Sequence, residues 1–161
     1  MTAILRGIDY INKGILILLG ILLGIMSAVI IFQIFSRFFL GLPLPWSEEL
    51  ARLIMAYTIF IGSAIALRNQ QLIAVEFVSE RLTPQKRKVL KFIIHIIAII
   101  FFALLFVKGI EMMGKVHAQQ SAALRLPMSV SYSCIPIGAA LLIMNAIAVM
   151  IEMVAKKEGE A

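Results

Sequence analysis

The sequence predicts an all-α integral membrane protein: four transmembrane helices, with a short interfacial amphipathic helix between the second and third. Three observations predict it. The first is composition. Of 161 residues 61% are hydrophobic and 15% charged, with mean hydropathy +1.00, whereas a soluble domain is nearer half apolar and a quarter charged. The second is the length of the apolar runs. Gly14 to Ser36 and Leu126 to Ile151 each exceed the about 18–20 residues that cross the hydrocarbon as a helix. The shorter runs Leu53–Leu67 and Phe92–Val107 extend into flanks whose charged side chains can snorkel to the interface. The third is the placement of positive charge. With the N-terminus inside, ten basic residues fall inside (Arg6, Lys13, Arg68, Arg81, Lys86, Arg87, Lys88, Lys91, Lys156, Lys157) and five outside (Arg37, Arg52, Lys108, Lys115, Arg125). The positive-inside rule then puts both termini in the cytoplasm.

The helices are expected over about 10–37, 46–68, 84–117 and 128–155, with the interfacial helix over 73–82 and residues 1–161 forming a single membrane domain. Net charge +6 is on this pattern a topological signal rather than a nucleic-acid footprint. No small-residue cleavage site follows the first apolar run, so that run is expected to stay as a signal-anchor helix. The single cysteine, Cys134, leaves no internal disulfide and no cysteine metal cluster.

Residues 1–13 read as a short mixed-charge head leading into helix 1 at the interface. Within that helix Gly20, Gly24 and Ala28 follow one another at four-residue spacing. Such a small-residue stripe lets another helix approach closely, although glycine is common in membrane helices in any case. Gln33, Ser36 and Arg37 close the helix.

Leu42-Pro43-Leu44-Pro45 makes an extended approach that cannot be helical. Trp46 or Ser47 then starts helix 2, with Glu48 and Glu49 in its first turn. Acids there face the positive end of the helix dipole, each worth roughly 0.3–1 kcal/mol. Arg52 lies four residues after Glu48 and three after Glu49, so all three can meet on one face. Glu49, Arg52, Ala56, Ile59, Ser63 and Ala66 continue that face as a stripe of mostly small residues. Two readings stay open. The charges form an ordinary interfacial ion pair, worth little, or they head a face that meets another protein.

After Arg68, the segment Ile73–Leu82 sets Ile73, Val75, Phe77, Val78 and Leu82 against Glu76, Ser79 and Glu80, the pattern of a helix lying in the interface. A turn of helix 2 dipping back is the alternative. Thr83-Pro84 has the N-cap and first-position chemistry of a helix start. Lys86, Arg87, Lys88 and Lys91 form a basic collar there. Near the far end of helix 3, Glu111 can pair with Lys108 and Lys115. Pro127 precedes helix 4, in which Pro136 predicts a local kink. Gly138, Ala139 and Ala140 add a close-packing patch, Asn145 is a strongly polar residue at depth, and the tail 155–161 reads as charged and frayed.

Enzyme chemistry is not expected. A membrane enzyme needs a clustered nucleophile, base or metal set, and the acids here stand at helix ends, in connections or in the tail. His95 and His117 fall near opposite ends of one helix, a poor arrangement for haem. A lone histidine such as His95 is more often a packing residue. No catalytic residue, metal ligand or cofactor is assigned. The residues nominated for contact with another subunit are Trp46, Glu48, Glu49, Arg52, Ala56, Ser63, Gly20, Gly24 and Gly138.

The chain resembles the small transmembrane (DctQ or Q type) subunit of tripartite ATP-independent periplasmic (TRAP) transporters, over essentially its whole length. The likeness rests on Pro45-Trp46-Ser47-Glu48-Glu49-Leu50-Ala51-Arg52, Gly62-Ser63-Ala64-Ile65-Ala66-Leu67-Arg68 and Gln71-Leu72-Ile73-Ala74-Val75-Glu76-Phe77. Leu82-Thr83-Pro84 and Ser121-Ala122-Ala123-Leu124-Arg125-Leu126-Pro127, running on to Ile135-Pro136-Ile137-Gly138, complete it. Their order and spacing carry the resemblance together. Gln70-Gln71-Leu72 departs from the charged or histidine-containing turn of many members.

The resemblance implies a multi-pass protein of the bacterial inner membrane that is not itself the carrier. It implies a fixed scaffold beside a large multi-spanning subunit that holds the substrate and sodium sites. A periplasmic solute-binding protein would deliver an organic acid such as a C4-dicarboxylate or a sialic acid. Membrane lipids are the other partner, and nucleic acid is not one. Two other classes compete: the membrane anchor of a redox complex, which needs haem or quinone, and a small multidrug carrier, which needs a charge buried inside the bundle.

Overall fold

The computed structural model describes residues 2–69 and 84–158. The long helices are α1 (Thr2–Phe35), α2 (Pro45–Arg68) and α3 (Pro84–Val116), followed by a short α4 (Met128–Tyr132) that leads into α5 (Cys134–Glu158). Among the described residues four stretches are long and apolar enough to cross a membrane: Leu5–Leu40, Pro45–Arg68, Val89–Val116 and Met128–Met153. The expected interfacial helix over 73–82 and the Thr83 cap lie outside the described residues.

The ends of the elements follow from local chemistry. The last turn of the first span, Ser36–Leu40, is π-helical and stops at Gly41, whose left-handed φ of 65° lets its N–H donate back to Ser36 O. Two prolines then keep the chain extended until Pro45, which takes the first position of α2 where no N–H is needed. The Ser47 hydroxyl donates to Leu44 O at 2.6 Å and secures this start.

Two expected boundaries move. Helix 1 begins at Thr2 rather than near residue 10, so the mixed-charge head is helical. At the other terminus α5 runs on to Glu158, three residues past the expected end, so the tail does not fray at 155. One turn upstream of Pro136 the helix is interrupted, at Ser133 between α4 and α5. That is where the proline ring crowds the preceding turn and its missing N–H leaves a carbonyl unpaired.

α5 is the centre of the bundle. Half of its most apolar window is buried, against 6% for those of α1 and α3. It packs on α2 and α3, while α1 packs chiefly on α2. Ala64, Leu67, Leu142 and Ala146 form one core cluster, with Ile99 and Phe102 of α3 against it. Leu19, Ile61 and Ile65 form a second where α1 meets α2. Close approach rather than bulk marks these contacts, as expected where lipid is as apolar as the core. A Cβ added at Gly138 would stand 2.5 Å from Phe60 Cβ, and one at Gly109 would stand 2.8 Å from the Pro136 ring.

α1 touches the bundle along one narrow seam. Leu5, Ile8, Asn12, Ile15, Leu19, Leu22, Met26, Val29, Gln33 and Ser36 are its buried or half-buried positions, Ile30 apart. They alternate at three- and four-residue steps, the heptad spacing of a left-handed coiled-coil seam.

Candidate functional site

The helices alternate in direction, which gives the bundle a loop end, with residues 36–44 and 117–127, and a terminal end, with the chain termini. Polar groups gather at both.

At the loop end Glu48 and Glu49 open α2, and each is held by a neighbour in the same chain. Gln33 Nε2, from the α1 seam, donates to Glu48 Oε1 at 3.0 Å. Glu49 Oε2 accepts the N–H groups of both Ala123 and Leu124, at 2.9 and 3.0 Å. Those two amides converge because residues 119–128 fold into a tight connection. Ser121 N–H donates to Leu126 O at 2.9 Å, Leu126 N–H to Ser121 Oγ at 3.2 Å, and Met128 N–H to Gln119 O at 2.8 Å. Arg125 turns the chain with a left-handed φ of 53°. About two turns below Glu49, the Tyr57 hydroxyl donates to Val130 O at 2.8 Å and contacts Ser133 Oγ. The second connection is thus tied to α2 at two levels.

Arg52 is the correction. Its spacing allows it to meet both acids, yet among the described residues no hydrogen bond or ion pair joins it to either. Both carboxylates face donors elsewhere in the chain, and the guanidinium is left exposed. It lies in the wall of a cleft of about 790 Å³, bounded on one side by Glu48, Glu49, Ala56 and Phe60 of α2 and on the other by Ser121, Tyr132 and Ile135.

Four of the nine nominated residues therefore share one cleft: Glu48, Glu49, Arg52 and Ala56. The others lie apart. Trp46 is 39% exposed beside the cleft. The Ser63 hydroxyl donates to Phe60 O of its own helix. Cβ atoms added at Gly20 and Gly24 would meet nothing within 4 Å, while Gly138 is buried against Phe60 of the same chain.

At the terminal end sits a constellation that sequence reasoning did not assemble. The Arg68 side chain is 9% exposed and forks onto Glu152, with Nη1–Oε2 at 2.8 Å and Nη2–Oε1 at 2.5 Å, while its Nε donates to Asp9 Oδ1 at 3.0 Å. Deeper in, Asn12 and Asn145 exchange amide hydrogen bonds of 2.8 and 3.0 Å, and Asn145 Nδ2 also donates to Ala64 O at 2.8 Å. Three helices are joined twice over. A signal was present: Asp9 and Asn12 are three apart, Ala64 and Arg68 four, and Asn145 and Glu152 seven, so each pair lies on one helix face.

His95 is buried in α3 with Nδ1 2.8 Å from Lys91 O, and among the described residues Nε2 has no partner. A carbonyl only accepts, so Nδ1 carries the proton. His117 Nδ1 stands 3.2 Å from Ser129 Oγ, with no third group orienting the ring among the described residues. No three His, Cys, Asp or Glu side chains among the described residues gather to hold a metal ion. The geometry is that of helices tied together beside an open cleft.

A family model described as "Tripartite ATP-independent periplasmic transporters, DctQ component" matches residues 26–156, which include the cleft and most of the bundle. The chain belongs to this family. Two curated relatives agree with the DctQ assignment. The sialic acid TRAP transporter small permease protein SiaQ of Vibrio cholerae is 32% identical over 105 residues, 65% of this chain and 58% of that protein. The sialic acid TRAP transporter permease protein SiaT of Haemophilus influenzae is 37% identical over 79 residues, 49% of this chain and 13% of that protein. The chain thus spans less than two thirds of the length of either relative. As a DctQ-family protein with, among the described residues, four stretches long and apolar enough to cross a membrane, it is a multi-pass membrane protein.

Proposed function

We propose that this chain is the small membrane subunit of a sodium-coupled, binding-protein-dependent secondary transporter for organic acids of the sialic-acid type. In this reading it lies in the bacterial inner membrane with both termini cytoplasmic. It serves as a fixed scaffold for a large multi-spanning carrier subunit, and a periplasmic solute-binding protein delivers the substrate. The observation that carries the proposal is the match to SiaT. Since 79 residues are 13% of that protein, it is about 600 residues long, so a stretch similar to this chain occurs inside a much larger permease. The sialic acid in both relatives' names supports the substrate class. The scaffold role is supported by a bundle whose polar groups tie its own helices together at both ends.

Proteoliposome uptake tests it. The chain alone is expected to move no sialic acid under an inward sodium gradient. Uptake is expected when the large subunit and the loaded binding protein are added, and is expected to collapse when this chain is left out. Uptake by the chain alone, or full uptake without it, refutes the proposal.

A further inference from the structure

We infer that Arg52 is the docking cation of this chain: its guanidinium receives a carboxylate from a membrane helix of the large carrier subunit seated in the loop-end cleft. The inference rests on the scaffold reading and names the partner's chemistry at one point.

Three features of the cleft lead there. It ends where α2 and α5 come into contact, since Phe60 lines it and Gly138, against Phe60, leaves no room for a Cβ. Its lower walls, Ala56, Phe60 and Ile135, are apolar and suit a membrane helix. One turn from Ala56, toward the two acids, stands Arg52, exposed and, among the described residues, without a hydrogen-bond or ion-pair partner. A guanidinium carries five N–H donors in a fixed fork. A protein covering the cleft strips water from it, and a desolvated cation without acceptors is strongly disfavoured.

The acceptors do not come from the chain's own acids as they stand. Glu48 is turned to Gln33 and Glu49 to two backbone amides. Those acids also decide the kind of anion. Arg52 shares the cleft wall with two carboxylates, so that wall carries no excess of positive charge to gather free anions or anionic lipid. A carboxylate fixed on a partner's backbone can instead be directed to the side of the guanidinium away from both acids, where the fork accepts it bidentately.

The test uses the chain co-expressed with its large subunit and transferred to nanodiscs, with the dissociation constant measured by titration. Arg52→Gln is expected to weaken the complex by about thirtyfold, equivalent to about 2 kcal/mol at 1.4 kcal/mol per factor of ten. Arg52→Glu is expected to weaken it further, and one Asp or Glu of the large subunit changed to Arg is expected to restore that complex. The swap decides the matter even where Arg52→Gln perturbs folding. Binding of Arg52→Gln within threefold of wild type, or failure of every such swap, overturns the inference. So does loss of the Arg52 dependence in nanodiscs of phosphate-free galactolipid, which would assign the anion to a lipid phosphate. Tight wild-type binding with Arg52 indifferent refutes this inference alone, whereas absence of wild-type binding strikes the scaffold reading itself.

Discussion

Removing Asn145 and Asn12 singly and together should separate a shared polar tie from two independent contacts. Asn145 is fully buried, and its side chain makes three hydrogen bonds, two with the Asn12 amide and one with Ala64 O. Interhelical hydrogen bonds in membranes average only about 0.6 kcal/mol, with a maximum near 1.7. Three of them sum to about 2 kcal/mol, and the Asn12 amide stranded by Asn145→Ala adds about 1–2 kcal/mol as an unsatisfied buried group. Asn145→Ala should therefore cost about 3–4 kcal/mol. Asn12→Ala loses two of the three bonds and leaves Asn145 on Ala64 O, a cost of about 2 kcal/mol. The double variant loses the three bonds but strands neither amide, so it should cost about 2 kcal/mol instead of the sum of about 5–6, a coupling of about 3–4 kcal/mol. Reversible unfolding in mixed micelles, followed by helical circular dichroism, measures all four proteins. Additivity within about 0.5 kcal/mol would refute the reasoning, because it would mean that the two amides do not depend on each other.

Three further perturbations follow from the same geometry. Glu49→Ala should raise hydrogen exchange at Ala123 and Leu124, which lose their carboxylate acceptor; exchange within α2 should hold, and unchanged rates at both amides would contradict the latch. Arg68→Ala leaves Asp9 and Glu152 facing each other; these carboxylates are 55% and 37% exposed, so water screens part of the repulsion and the cost should be about 1–3 kcal/mol. Arg68→Lys should recover less than half of that loss because one ammonium cannot fork onto Glu152 while reaching Asp9, and full recovery in the same unfolding assay would count against the fork. His95→Leu removes a buried nitrogen without a partner, so stability should hold or rise by about 1 kcal/mol; a loss above 1 kcal/mol would show that Nε2 has a partner after all.

The fold was legible because length and hydropathy act on the whole span: the helix start at Pro45 and the stop after Arg68 were both written in local chemistry. What escaped was orientation. In α1 nearly every residue is apolar, so the moment that marks a soluble helix's inner face is weak, and the seam through Leu5, Asn12, Leu19, Met26 and Gln33 is hidden among residues of the same kind. Its polar members were the signal. Asn12, Gln33 and Ser36 fall on one heptad register, and each meets a polar group: Asn145, Glu48 and Leu42 O. At the cleft, spacing placed Glu48, Glu49 and Arg52 on one face correctly but not the partners. The competing donors arrive from residue 33 and residues 123–124, and no rule of helix spacing reaches across the chain. The head at residues 1–13 hid its partners for a related reason: its spacing does not show that Asp9 and Asn12 meet Arg68 and Asn145.

The glycines carry the last prediction, because one criterion nominated three of them and the structure separates them. A Cβ at Gly138 would lie 2.5 Å from Phe60 Cβ and 3.2 Å from Phe60 C. Neither atom can move without its backbone, so α2 and α5 must part. Gly138→Ala should destabilise the chain itself by about 1–3 kcal/mol, the range for overpacking a close contact. Cβ atoms at Gly20 and Gly24 meet nothing within 4 Å, and both residues lie off the α1 seam. Replacing both by Leu should leave the isolated chain as stable as before or slightly more so, since glycine is the weaker helix former by about 1 kcal/mol. If the open face of α1 serves the large subunit, the same double variant should lower its co-purification, because close backbone approach is what small residues permit. Unfolding of the isolated chain and recovery of the complex read these two effects separately. A destabilised Gly20→Leu/Gly24→Leu chain would mean that the seam is misplaced, and undiminished recovery of the complex would remove α1's glycine face from the interface while leaving the cleft on α2 to carry it.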